Sequence, residues 1–377
     1  MKLSEYKAGQ WVNQYHYKSF YPSKVNHEWS LDNDSVIYML SRANGLLGEL
    51  KAFSKQVPDV DFFIKMHIIK EATTSSKIEG TQTNIDEAVQ KVENIHPEKV
   101  DDWVEVQNYT QAINYAIYEL DNLPLCNRLL RNTHKILMQG VRGQNKQPGE
   151  FRTSQNWIGG SNINNATFVP PNHNELSELM SDLELFLENK NFFVPPLIKI
   201  AIAHYQFEVI HPFLDGNGRI GRLLITLFLV NENILYKPTL YLSDFFVNHR
   251  SLYYENLSNV STKDNMTQWL KFFLDGVIQT AEKSISTLDQ IINLKIDIEK
   301  DVILNFGKNS QKANELFIHL FSHPVVDAND VCKELKISNN TALRLISKFV
   351  KRGILEETTG FKRNRIFCFE KYLCLFR

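Results

Sequence analysis

Residues 211–222 read His-Pro-Phe-Leu-Asp-Gly-Asn-Gly-Arg-Ile-Gly-Arg. This short stretch holds a candidate base, a carboxylate, two glycines around an amide side chain, and two arginines three residues apart. The combination suits phosphate chemistry: backbone amides at a helix start to cradle an anion, an oxygen ligand for a hard cation, and an imidazole to move a proton. His211, with an ordinary pKa near ~6.5, can take a proton from an attacking hydroxyl at neutral pH. Asp215 is a hard ligand suited to Mg²⁺, which usually arrives with phosphate. Gly216 and Gly218 permit torsions that a Cβ would forbid and let a ligand approach closely. Arg219 and Arg222 share one face of the helix that follows, while Leu223, Leu224, Leu227 and Phe228 bury the other. Two guanidiniums in a first helical turn oppose the dipole, so the arrangement calls for an anion.

The run Gly216 to Gly221 is also a literal GxGxxG. A dinucleotide fingerprint needs a strand immediately before it. Here the preceding residues Ile198, Ile202, Tyr205 and Val209 recur at helical spacing, so the order is helix, loop, helix. His211-Pro212 ends the first helix, because a residue before proline disfavours the helical region. The second helix is expected to begin near Arg219, with Phe213 turned inward to anchor the loop.

HPFLDGNGRIGR resembles the signature of the Fic family, HPFx(D/E)GNGRxxR, at every fixed position. The resemblance implies an all-helical core. It also implies transfer of AMP from ATP to a Ser, Thr or Tyr hydroxyl of a target protein, with release of pyrophosphate. His211 would then be the base and Asp215 the Mg²⁺ ligand. Gly216, Asn217, Gly218, Arg219, Ile220, Gly221 and Arg222 would bind the nucleotide, with Arg222 gripping the γ-phosphate. Relatives with Lys at the place of Gly218 run phosphoryl transfer, so Gly218 favours AMP. Ser75 and Glu79, in Ser-Ser-Lys-Ile-Glu-Gly, are similar to the family's (S/T)xxxE(G/N) inhibitory motif. Glu79 would pair with Arg222 and occupy the seat of the γ-phosphate. Pro148 to Pro171 resembles the family flap, with Trp157, Ile158 and Gly159 as the edge that binds the target by strand addition. Tyr254 is expected near the adenine. Ser261 stands where many relatives carry Asn, a departure on the base side of the pocket.

The elements that must position these residues are mostly helical. Helix-like stripes run over Ile37–Leu50, Ile64–Thr73, Trp103–Leu120, Leu176–Leu187 and Ile198–Val209, and strand-like alternation is nearly absent from the first 300 residues. After about residue 300 two helical stretches, Asp330–Leu335 and Asn339–Arg352, precede an alternating segment, Ile354–Phe369. That order suggests a winged helix. Residues 308–377 hold 13 Lys/Arg against 7 Asp/Glu. This local excess makes DNA a candidate partner through Lys362, Arg363 and Arg365.

The chain has 377 residues and a net charge of −1, so no whole-chain field selects nucleic acid or an anionic membrane. Its four cysteines show no paired spacing, and no apolar run is long enough to span a bilayer. Together these features predict a mainly α cytoplasmic protein: an N-terminal helical region with the inhibitory motif (1–90), a Fic core with a small β-hairpin flap (91–290), a linker (291–307) and a winged helix-turn-helix domain (308–377). The expected activity is self-inhibited adenylylation of a target protein with ATP and Mg²⁺. The alternatives are a DNA-binding regulator with a nucleotide-sensing core, or transfer of another nucleotide derivative. A homodimer is left open by family likeness.

Overall fold

The computed structural model describes residues 1–56, 60–140, 145–360 and 364–377, and the side chains at 56, 60–62, 301–305 and 308 fall outside that description. The chain begins with a sheet where a helical region was expected. Strands β1 (Gly9–Asn13) and β2 (Lys18–Pro22) pair antiparallel, with Trp11 opposite Phe20. Alternation did not reveal them because Trp11-Val12 and Phe20-Tyr21 set apolar residues side by side. Phe20 is buried while Trp11 stays exposed.

Helices α1 (Asp34–Gln56), α2 (Val60–Ile78), the single turn α3 (Ile85–Ala88), α4 (Val100–Glu119), α5 (Asn127–Leu137) and α6 (Leu176–Glu188) follow. Next comes α7 (Pro196–Ile210), in which every residue from Leu197 to Ile210 is buried except Glu208. A helix apolar around its whole circumference belongs at the centre of a fold, and α6, α8 (Asn217–Asn231) and α11 (Met266–Asn305) pack on it. Short α9 (Ser243–Asn248) and α10 (Arg250–Lys263) complete the site's walls. Trp269 of α11 is fully buried and donates from its indole to Ala201 O at 2.9 Å, fixing α11 to α7. The expected helix over 198–209 is therefore present, and its successor starts at Asn217, two residues before Arg219.

The linker expected at 291–307 is not one. Helix α11 runs for 40 residues to Asn305, through that segment. Leu288, Ile291 and Ile298 continue its buried stripe, and neither glycine nor proline interrupts the sequence between Gly276 and Gly307. Helix α1 lies along α11, which ties the N-terminal residues to the far end of the chain. Beyond α11, helix α12 (Ser310–Ser322), strand β3 (Val325–Asp327), helices α13 (Ala328–Leu335) and α14 (Asn339–Lys351), strands β4 (Glu356–Glu357) and β5 (Ile366–Cys368) and one-turn α15 (Glu370–Leu373) form a small unit. Its antiparallel sheet has the order β3-β5-β4. Lys362 and Arg363 lie outside the described residues, and the Arg365 guanidinium sits over the Phe367 ring.

This unit grips α2. The Phe376 ring packs against Phe63 and His67 of α2, and Lys65 Nζ lies 3.1 Å from His323 Nε2. Arg377 Nε donates to Asp86 at 3.1 Å, and Lys91 pairs with Asp327 and Asp330 at 2.8 and 2.7 Å. Exposed ion pairs add little, so the buried Phe376 ring carries most of this contact. Phe376→Ala is expected to cost about 3 kcal/mol, read as a lower denaturant midpoint. Amide exchange should also quicken in α2 more than in α7. Equal exchange in both helices would show that α2 does not depend on this unit.

Candidate functional site

His211 caps α7 in a left-handed conformation, φ 51° and ψ 59°. For a non-glycine residue this is a strained position that its surroundings must hold. They do so through its carbonyl, which accepts from Arg152 Nε at 3.0 Å and Asn156 Nδ2 at 3.1 Å. Arg152 is buried and also donates to the carbonyls of Pro171, at 2.6 Å, and Ser154, at 3.1 Å. Burial lowers its pKa to about 10. It welds both ends of the flap to the His211 turn.

The His211 ring nitrogen Nδ1 lies 3.1 Å from Glu208 O. A carbonyl only accepts, so Nδ1 carries the proton and Nε2 keeps its lone pair. Burial, partly opposed by that carbonyl, lowers the pKa to about 4. The imidazole is thus neutral at physiological pH, the state a general base requires.

Two further histidines brace the loop and the helix that follows it. His134 of α5 donates from Nε2 to Asp215 O at 2.9 Å and accepts at Nδ1 from Gly149 N at 2.9 Å, and its ring stacks on Phe213 at 3.8 Å. His204 of α7 donates from Nδ1 to Gly221 O at 2.8 Å, with Tyr253 Oη at 2.9 Å from its Nε2. Burial lowers both pKa values, to about 4 for His134 and about 3 for His204, so both act as neutral braces. Phe213 is fully buried, as expected. Asn217 bonds through Oδ1 and Nδ2 to Phe213 N and O, each at 2.8 Å. Its side chain is committed to the loop, which leaves only its backbone for a nucleotide. Gly216 has φ 76°, and a Cβ there would come within 2.9 Å of Met138 Sδ.

Among the described residues no side chain caps the start of α8, where Gly216, Asn217 and Gly218 wall a cleft. The anion that this helix start calls for comes from α2. Ser75 and Glu79 stand one turn apart, and the chain leaves the helix at Gly80, φ 107°. Arg222, almost wholly buried, donates from Nε to Ser75 Oγ at 2.8 Å, and from Nη2 to Ser75 O at 2.9 Å and Glu79 Oε1 at 2.7 Å. Burial alone would lower the Arg222 pKa, and the charges around it, Glu79 first among them, leave it raised. Burial pushes Glu79 up, and Arg222 outweighs it, holding the carboxyl below its ordinary value. A Cβ on Gly218 would collide with the Glu79 carboxylate. Arg219 finds its own anions, Glu105 at 3.5 Å and Asp215 Oδ1 at 3.8 Å.

The cleft, about 650 Å³, is lined by Glu79, Glu208, His211, Asp215, Arg222 and Tyr254 together with Trp157, Ile158, Gly159 and Trp11. Its size suits a nucleotide. A second opening of about 240 Å³ shares Glu79 and Asp215 and adds Arg219. Ile220 and Gly221, expected to bind the nucleotide, line neither opening. Ile220 is wholly buried in the core, and Gly221 makes room for the Glu208 carboxyl, which a Cβ would strike. Tyr253 is buried on His204, while Tyr254 faces the cleft beneath Arg250. Ser261 also lines it and pairs with Tyr205 Oη at 2.9 Å. The flap holds a single antiparallel bridge, Ile158 to Phe168, in place of the expected hairpin strands, because Gly159 and Gly160, both near φ 70°, turn the chain at once. No residue pattern marks His134, His204, Arg152 or Glu208, since each works through contacts to or from a backbone carbonyl. Burial raises the Glu208 pKa to about 7.

Residues 37–118 match the model of the Fic/DOC family N-terminal domain, and residues 124–229 that of the Fic/DOC family. The chain is 36% identical over 135 residues to the Protein adenylyltransferase Fic of Aedes aegypti, covering 36% of this chain and 24% of that protein. It is 31% identical over 157 residues to the protein of the same name from Drosophila erecta, covering 41% of this chain and 29% of that one. The chain therefore spans about a quarter of the length of these curated relatives. A solved Fic family protein from Desulfovibrio desulfuricans G20 shares the fold over 93% of this chain and 98% of its own, with TM-score 0.57 and 20% identity. A Fic domain-containing signaling protein from Bacteroides thetaiotaomicron VPI-5482 aligns over 68% of this chain and 97% of its own, with TM-score 0.50 and 16% identity. Through its N-terminal domain at 37–118 and its Fic domain at 124–229, this chain belongs to the Fic/DOC family.

Proposed function

We propose that the chain is a self-inhibited protein adenylyltransferase, moving AMP from ATP to a Ser, Thr or Tyr hydroxyl of a target protein. The observation that carries this reading is one cleft holding two things: a neutral imidazole with an open Nε2, and a helix start whose buried arginine is occupied by a carboxylate from outside the motif. The name shared by the curated relatives supports AMP as the group moved. In this reading, His211 Nε2 accepts the acceptor's proton as the hydroxyl oxygen bonds to the α-phosphorus. The bond from that phosphorus to the bridging oxygen breaks, and pyrophosphate leaves with the electron pair. The first amides of α8 and Arg222 hold the phosphates.

Asp215 fits the role of Mg²⁺ ligand. Its carboxylate is half exposed on the wall of both openings, and Mg²⁺ typically takes one or two carboxylates together with phosphate oxygens. A bound ion would neutralise phosphate charge there. Among the described residues no cluster of three acidic, His or Cys side chains could hold a metal alone. That fits a cation carried in by the nucleotide.

In the same reading α2 with Glu79 is the inhibitory element and α12 to β5 form a winged helix. Three of its basic side chains lie over aromatic rings, Lys348 and Arg352 over Phe306 and Arg365 over Phe367. Among the described residues no helix is long and apolar enough to cross a membrane.

Glu79→Gly should raise incorporation of label from α-labelled ATP into protein by roughly tenfold or more, which needs only about 1.4 kcal/mol of relieved inhibition. Unchanged labelling would remove Glu79 from the mechanism. Adding His211→Ala should lower transfer by roughly 10²–10⁴ with ATP affinity retained. Persistent transfer would place the base elsewhere.

The low His211 pKa sets a pH signature for the Glu79→Gly variant. A depressed base stays competent as pH falls until its own pKa is reached, so the His211 limb belongs near pH 4 and not near 6.5. A limb near neutrality would belong to Glu208 and should vanish in Glu208→Gln. A limb near pH 6.5 that survives Glu208→Gln would contradict the neutral imidazole.

A further inference from the structure

The N-terminal hairpin reaches the mouth of the cleft. Phe20 N of β2 donates to Val169 O at 2.9 Å, so the hairpin is bonded to the return arm of the flap. Trp11, opposite Phe20 on β1, makes edge-on contacts with Phe20 at 5.2 Å and Phe168 at 5.7 Å, and the two phenylalanines are 5.7 Å apart. Phe20 is 1% exposed, whereas Trp11 is 43% exposed. A buried ring and a flap ring therefore fix the orientation of an indole that still faces the cleft. Trp157, on the flap, is 42% exposed and lines the same cleft. Both indoles border the space that continues to His211.

Leaving two indoles in water forfeits a large burial term. A half-exposed tryptophan held by neighbouring rings at the edge of a pocket, as Trp11 is, has the character of a binding hot spot, because little entropy remains to be lost when a partner covers it. In the proposed reading the nucleotide takes the α8 start, Arg222 and Tyr254. What reaches the indoles must extend outward from the acceptor hydroxyl beside His211, and that is the polypeptide carrying it.

We propose that Trp11 is a specificity-determining residue: with Trp157 it takes an apolar side chain flanking the acceptor hydroxyl of an extended target segment. This rests on the adenylyltransferase reading for the identity of the hydroxyl segment. The docking surface itself is tested by binding.

The test uses the full chain carrying Glu79→Gly and dye-labelled decapeptides with one central Tyr, Thr or Ser. In one set the flanking residues are alanine, and in the other leucine or phenylalanine. Affinity is read by fluorescence anisotropy and AMP transfer by mass. The apolar-flanked peptides should bind more tightly than the alanine-flanked ones. Trp11→Ala should weaken them roughly tenfold, with alanine-flanked peptides and ATP unchanged. Trp11→Leu, which keeps packing on Phe20, should retain part of the preference and guards against loss of the hairpin. During transfer the effect should appear in the peptide KM and not in kcat. Equal weakening of both sets, no effect on either, or no preference in the parent would overturn the role of Trp11. Trp11-dependent binding without any AMP transfer would leave the surface standing and remove the adenylyltransferase reading.

Discussion

A buried guanidinium needs an anion, and most of this structure is arranged around which anion Arg222 holds. Leaving such a charge unpaired costs on the order of 3–5 kcal/mol. Ser75 contributes a hydroxyl and a carbonyl, but the charge is met by Glu79. Glu79 stands just beyond the C-terminal end of α2, where the helix dipole disfavours a carboxylate. Arg222 therefore holds Glu79 in place against the dipole of α2. In the proposed reading a nucleotide's terminal phosphate competes for the same guanidinium. Because Glu79 stays ionised well below neutral pH, mild acidification would not relieve that competition.

The loop before α8 is rigid for a related reason. Its polar backbone is met by groups that carry no charge at neutral pH or that are saturated by carbonyls. Neutral His134 holds the Asp215 carbonyl, neutral His204 holds that of Gly221, and Arg152 and Asn156 hold that of His211. The strained left-handed turn at His211 is thus over-determined, and its imidazole is aimed with one nitrogen committed and the other free. The apolar helix α7 and the long helix α11 provide the scaffold, joined by the Trp269 indole.

Much of this was legible in the amino-acid sequence. The helix-loop-helix around 211–222, the inward Phe213 and the meeting of Glu79 with Arg222 across more than a hundred residues followed from residue types, spacing and the family resemblance. The rejection of a dinucleotide fold rested on the period of α7 alone. The rest was hidden for physical reasons. The N-terminal hairpin escaped because neighbouring apolar residues do not alternate. The expected linker was part of α11 because its apolar stripe, buried under α1, continues without a helix breaker. Asn217, Ile220 and Gly221 sit in the motif yet serve the loop and the core. The bracing histidines and Arg152 act through backbone carbonyls, which no side-chain pattern advertises. Trp11 lay farthest from the motif and borders the same cleft.

The competition for Arg222 is tested most directly by calorimetric titration of ATP, ADP and AMP against the chain with and without Glu79→Gly, both carrying His211→Ala to prevent turnover. Only ATP brings a γ-phosphate to that guanidinium. Removing Glu79 should therefore tighten ATP by roughly tenfold, about 1.4 kcal/mol, while ADP and AMP change little. Equal tightening of all three nucleotides, or no tightening of ATP, would contradict a seat shared between Glu79 and the γ-phosphate.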